Sequence, residues 1–428
     1  MASGNPFAAL NGMQRTFRAL HHRNYRLFFG GQSVSLIGTW MQQLAMSWLT
    51  YRLTHSTVLL GVVGFSSLIP SFLLAPFAGV LIDRWERYRV MIITQILAMI
   101  QAVVLALLVL TGMITVWHII ILSTLLGIIN SVDNPVRHAL IIDLVESKED
   151  LSNAIALSAS MFNVARLVGP SIAGVLISLV GEGVCFLINA LSFIAVIISL
   201  LSMKVTSKER KMYRTPFWQD IREGFAYAFG FPPIRYILML IAWTSLVGMS
   251  YNVLMPVFAR DILHGGAHTF GFLMAGTGCG ALIGSIYLAT RKSVLNLERI
   301  LVITSLLFGI GLILLSLSHV DWVALIFMML IGFGMISQFA GCNTILQTIV
   351  EEDKRGRVMS LFIMTSIGTI PFGSLLAGSI AQVVGTPQTI RISGLLCIFG
   401  AVMLAVRLPA FRAMIHPIYV KKGIIMET

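Results

Sequence analysis

A chain of 428 residues that is 57% hydrophobic and only 11% charged cannot cover a water-facing surface, because soluble domains carry about 25% charged side chains. Lipid must cover much of it, and in lipid only helices or closed barrels satisfy their own backbone hydrogen bonds. The apolar runs are long rather than alternating, which selects helices and leaves the net charge of +12 to be explained by its placement.

Taken in chain order, the first 26 residues are polar and basic, and the first long apolar run is a full span rather than a short signal core. It is therefore expected to stay as an anchor. Apolar runs between charged or turn-rich breaks predict spans at 27–50, 57–82, 88–111, 115–136, 152–179 and 183–203. A second set follows at 234–257, 268–290, 297–318, 321–347, 358–384 and 389–409. The expected fold class is an all-α membrane protein with twelve transmembrane helices in two pseudo-symmetric six-helix bundles. The expected domains are residues 1–203, a polar linker at 204–233 and residues 234–428.

The bases are distributed by side. With the N-terminus in the cytoplasm, 26 of the 30 Lys and Arg fall in cytoplasmic segments, whereas Arg52, Arg260 and Arg391 fall outside and Arg166 lies within a span. This bias predicts both termini in the cytoplasm of a cell whose inner, or plasma, membrane holds the chain. It also accounts for the positive charge without nucleic acid.

A duplication underlies the two halves. At an offset of 204, Gly169-Pro-Ser-Ile-Ala-Gly174 lies over Gly373-Ser-Leu-Leu-Ala-Gly378, and Gly181 over Gly385. At 205, Gly79 lies over Gly284 and Arg87 over Lys292. Two such halves enclose a site at the midplane. In the linker, Thr215 followed by Pro216 starts a helix whose Phe217, Ile221 and Phe225 share a face. It either lies on the membrane surface or packs beneath the bundles.

Four cysteines sit in apolar runs without metal-like spacing, and no phosphate-cradling loop or zinc-protease motif occurs. No catalytic residue, metal or cofactor is expected, so the chain reads as something other than an enzyme. Arg166 is the one base deep within a span, and a guanidinium there costs about 2.5–3.5 kcal/mol on insertion scales unless it faces water or protein. Asn163, Gly169, Pro170 and Ala173 share its face by helical spacing. Arg166 then contacts an anionic or polar substrate, or serves as a hydrogen-bond hub between spans. Gln42, Asn130, Asn163, Asn252 and Gln338 are the other candidates for a polar cleft, although such residues serve more often as interhelical glue.

The loop after the second span reads Gly79-Val-Leu81-Ile-Asp83-Arg84-Trp-Glu86-Arg87. On its own it is a charged corner, suited either to a latch or to a simple anchor. It resembles the signature of the major facilitator superfamily, with Glu86 in place of the usual second glycine. The resemblance implies a latch of Asp83, Arg84 and Arg87 with Asp133 of span four that stabilises an outward-open state. Gly169-Pro170 followed by Ala173 and Gly174 resembles the superfamily's exporter-associated packing motif. The stretches from Asp133-Asn-Pro135 to Arg137, Asn153 to Leu157 and Phe162 to Pro170, with Gly38-Thr-Trp40-Met-Gln42 and Arg355-Gly-Arg357, resemble the transmembrane secretion effector branch, the group of the enterobactin exporter. This implies a monomeric antiporter that exports a small siderophore-like metabolite or drug by alternating access. Import, lipid translocation and a non-transporting scaffold are the rival readings. Protons as coupling ion come from the resemblance alone, since the span-four arginine of many proton-coupled members is absent and no mid-span acid replaces it.

Overall fold

The computed structural model describes residues 17–145, 147–204, 225–291, 293–352 and 354–424, and within these the side chains of residues 75–84, 148 and 149 are outside the description. A short turn at Arg18–His21 precedes twelve long helices. The first half comprises α1 (Arg23–Thr54), α2 (Thr57–Arg84), α3 (Arg87–Leu110), α4 (Val116–Leu144), α5 (Lys148–Val180) and α6 (Glu182–Leu201). The second comprises α7 (Pro232–Ile262), α8 (Ala267–Ala289), α9 (Leu297–Leu317), α10 (Asp321–Ile349), α11 (Arg355–Val384) and α12 (Thr386–Lys421). Among the described residues, eleven of the twelve are long and apolar enough to cross a membrane by length and composition. The twelfth, α1, is the one threaded with Gln32, Gln42 and Gln43.

An even number of crossings puts both ends of the described chain on one face, here the tail face, with the opposite side as the far face. The helices overrun several predicted spans on the tail face. α4 continues from 136 to Leu144, α5 begins at Lys148, and α12 runs past Pro409 and Pro417 to Lys421. An apolar run measures only the part of a helix immersed in hydrocarbon. The rest of the helix is polar enough to look like a loop. α7 contains π turns at Thr244–Gly248 and Phe258–Ile262, and α11 is interrupted at Thr369, so these two spans are composite. The linker segment 205–224, with the predicted helix start at Thr215, lies outside the described residues. From 225 the chain is helical, and Phe225 stacks on Phe229 at 5.8 Å.

The duplication has a conformational signature. Gly181 and Gly385, 204 residues apart, hold φ of +84° and +88°. Each ends one span and caps the next, at the α5–α6 and α11–α12 corners. Side chains rarely adopt that φ, so the same turn demands glycine twice.

Buried apolar side chains divide unevenly along the membrane normal. Toward the far face one core joins both halves, from Met41, Leu49 and Phe186 to Tyr251, Phe308 and Cys397. Toward the tail face there are two cores. One, including Tyr25, Met91, Val136 and Val196, belongs to the first half, and the other, including Ile237, Leu301, Ile345 and Phe411, belongs to the second.

Candidate functional site: the seam and the mid-membrane cleft

The halves meet along two helix pairs, α5 with α8 and α2 with α11. Both rely on glycine. A methyl group placed on Gly174 would sit 2.8 Å from the Ala267 carbonyl oxygen and 2.9 Å from the Gly271 Cα. One placed on Gly61 would sit 2.8 Å from the Ser374 carbonyl oxygen, and one on Gly378 would collide with that of Thr57. The close contacts run from the far face to mid-height, ending at Gly278 against Leu167 and at Gly368 against Phe72. Small residues permit such backbone approach. Among the described residues, three cross-bundle hydrogen bonds clasp the far face. The Tyr51 hydroxyl donates to Asp261, Thr57 donates to Gln382 at 3.2 Å, and Ser178 lies 3.4 Å from His268 Nδ1.

The predicted packing motif occupies this seam. Gly169 admits Trp40 and the Ile37 carbonyl of α1, and the Pro170 carbonyl lies against Gly271. Ala173 is fully buried, and Gly174 makes the α8 crossing. The motif thus lets α5 approach α1 within its bundle and α8 across the seam.

At mid-height Arg166 is half-buried, with its guanidinium carbon 5.7 Å from the centre of the Trp40 ring and Nη2 3.8 Å from the sulfur of Met335 on α10. It has no carboxylate partner among the described residues. Asn163 lies one turn away, and Asn130 is half-buried on α4. Asn252 donates to the Met249 carbonyl at 3.1 Å and leaves its buried Oδ1 without a partner. Two candidates for the cleft are placed elsewhere. Gln42 is 2% exposed, donates to Gln101 at 2.9 Å and accepts from Asn189 at 2.7 Å, tying α1 to α3 and α6. Gln338, equally buried, donates to Thr244 of α7 at 3.3 Å. Their amides are used inside the bundles, because an unpaired buried amide costs more than a bonded one returns.

The expected latch is also arranged differently. Arg87 Nη1 donates to the Ala139 carbonyl at 2.9 Å and to Asp143 at 3.2 Å. Asp133 instead accepts from Thr94 at 2.8 Å, from Gln95 at 2.7 Å and from Arg137 one turn on. The register explains the correction: Asp133 lies ten residues, roughly 15 Å at the helical rise, further into the membrane than Asp143, beyond the reach of an arginine at the start of α3. The side chains of Gly79, Asp83 and Arg84 lie outside those described.

The sequence model of the transmembrane secretion effectors matches residues 14–419. This chain belongs to the transmembrane secretion effector family. It is thus a transporter of the major facilitator superfamily, not an enzyme. The chain is 30% identical over 375 residues to the staphyloferrin A transporter of Staphylococcus aureus, covering 86% of this chain and 92% of that one. It is 24% identical over 394 residues to macrolide efflux protein A of Streptococcus pyogenes, covering 89% and 96%. In fold it resembles a bacterial homologue of the lysosomal transporter Spinster, with a TM-score of 0.66 at 13% identity over 92% of this chain and 97% of that one. A POT family transporter gives a TM-score of 0.71 at 12% identity over 91% and 96%.

Several residues that fasten the far face carry no clear signal in the sequence. Tyr51 and Asp261 looked like ordinary span ends, as did Arg52 and Glu182, whose carboxylate takes two bonds from the guanidinium at 2.8 and 3.2 Å. Arg137 was signalled by its i,i+4 spacing from Asp133. Nothing in the sequence selects Tyr51.

Proposed function

We propose that this secretion effector exports a small organic molecule, a siderophore-like metabolite or a drug, by alternating access between its two bundles. The observation that carries the proposal is the divided core: one shared core toward the far face, two separate cores toward the tail face. With the termini in the cytoplasm, as the distribution of bases favours, the cleft in this conformation faces the cytoplasm, where an exporter loads. The similarity to macrolide efflux protein A and to the staphyloferrin A transporter supports the direction and the cargo class.

Alternation then parts the far-face clasp and joins the tail-face cores, with residues 1–203 and 234–428 as rocking bodies and 204–233 as the tether. Asp83, Arg84 and Arg87 hold the corner between α2 and α3 in the outward-open state, with Asp143 as the acid of α4. Arg166, with Asn130, Asn163 and Asn252, lines the cargo path. The chain works as a monomer in the inner membrane, with the proton gradient as the driving force.

Mass spectrometry of culture medium and washed cells, with and without the chain, tests export. The cargo is expected to move from cells to medium when the chain is present. A cargo that instead accumulates in cells in its presence would establish import. Asp83→Asn is expected to slow efflux several-fold with normal membrane insertion, and normal efflux would remove the latch. A protonophore is expected to stop export, and undiminished export would remove proton coupling.

A further inference from the structure

The cargo path holds a charge that nothing in the described protein neutralises. Arg52, Arg87, Arg137 and Arg412 each hold a carboxylate. Arg166 has only the face of Trp40 and the thioether of Met335. A thioether is a weak acceptor and a ring face is none in the plane of the guanidinium, so most of its five N–H donors have no protein acceptor. The position is near the middle of α5, at the depth where an unmatched charge is most costly.

The surroundings add a second polar group. Tyr251 of α7 is 1% exposed, its hydroxyl is buried beside Thr277 without a well-formed hydrogen bond among the described residues, and it lies within electrostatic reach of Arg166. Trp40, Arg166, Tyr251 and Met335 come from α1, α5, α7 and α10, so both bundles contribute at one height. Aromatic rings lie on each side, Phe162 exposed and Phe308 buried in the core. Phe162 meets Trp40 edge-on at 5.6 Å, and Phe308 meets Tyr251 at 6.4 Å. A site with one unmatched cation, a weakly held hydroxyl donor and aromatic neighbours is complementary to an anion with an apolar body. A carboxylate matches the planar fork of a guanidinium with two parallel bonds.

We infer that the cargo is an amphipathic organic anion whose carboxylate is bound by Arg166 and Tyr251 between Trp40 and the second bundle. This rests on the export reading above and names its substrate class. Neutralising Arg166 from both bundles at once would also give the cargo a means of holding them in one arrangement.

The test uses the full chain in lipid nanodiscs and a matched pair of fluorescent probes, dansyl-glutamate and its dimethyl ester, followed by energy transfer from tryptophan. The dicarboxylate is expected to bind about 10- to 100-fold more tightly than the ester. Arg166→Gln is expected to erase that preference with little change in affinity for the ester, and Arg166→Lys to keep part of it. Melting curves establish that the variants are folded, and the wild-type probe pair decides the matter even if Arg166→Gln is not. Equal binding of the two probes, absence of saturable dicarboxylate binding, or a preference that survives in folded Arg166→Gln would each overturn the inference and leave Arg166 as a structural hub. Cellular efflux separates the two readings. Export of a neutral cargo by a chain indifferent to the dicarboxylate would remove the anion site alone. Tight dicarboxylate binding without any export would remove the export reading alone.

Discussion

The two ends of the bundle interface are built on different terms. Toward the far face the bundles share a core, their backbones touch through Gly174, Gly271, Gly61 and Gly378, and Tyr51 reaches across to Asp261. Toward the tail face each bundle keeps its own core, and ion pairs such as Arg87–Asp143 and Arg412–Glu298 fasten helices within a bundle. Strong electrostatic fastenings thus serve the rigid bodies, whereas the seam relies on fitted glycine surfaces and a few hydrogen bonds. An interface of that kind can close tightly and open without stranding many buried charges, which suits the proposed rocking.

The largest test of this contrast is overpacking the seam. Gly378→Leu is expected to lower efflux at least 10-fold, since a side chain there meets the Thr57 carbonyl and overpacking a fitted contact costs about 1–3 kcal/mol. Vesicle efflux at matched protein level measures it, and unimpaired transport would mean that the glycine contact is incidental. A smaller change is expected from Asp261→Asn, which leaves the clasp in place but takes away its charge. The shift toward opening at the far face should be about 1–2 kcal/mol, read as labelling of a cysteine placed at Gln382.

Gln42→Leu sharpens the comparison from the other side, because it breaks a network within one bundle. It orphans Gln101 and Asn189, so melting should show a loss of about 1–3 kcal/mol while cargo preference stays unchanged. A changed preference would return Gln42 to the cleft. The smallest effect is expected at Gly30, where an added methyl meets nothing within 4 Å. Gly30→Ala should leave both melting and efflux within about 0.5 kcal/mol of the original.

Much of the architecture was legible in the sequence because lipid imposes it. The run predicted at 183–203 is the helix Glu182–Leu201, and the 204-residue offset of Gly181 and Gly385 recurs as a shared positive-φ turn. The family was legible from Gly169-Pro170 and its surroundings. The partners of polar residues were not. A helix that is apolar toward both lipid and protein carries little directional pattern, so the sequence does not tell which way Gln42, Asn163 or Gln338 faces. Choosing between Asp133 and Asp143 for Arg87 requires the relative heights of α3 and α4, which depend on tertiary packing. Arg166 stood out because a lone base in a span is costly wherever it faces, but the rings beside it come from helices far away in sequence.

The central claim is that the far-face seam and the tail-face gap exchange roles during transport. Spin-label distances on the same helix pair, α5 with α8, test it most directly. One pair of labels replaces the exposed Leu179 and Phe272 near the far face, and another replaces the exposed Ile155 and Ile286 near the tail face. Without cargo, the far-face distance should be the shorter and narrower of the two. With cargo and a gradient it should lengthen while the tail-face distance shortens. Two distances that stay fixed, or change in the same direction, in a preparation that is transporting would contradict the account.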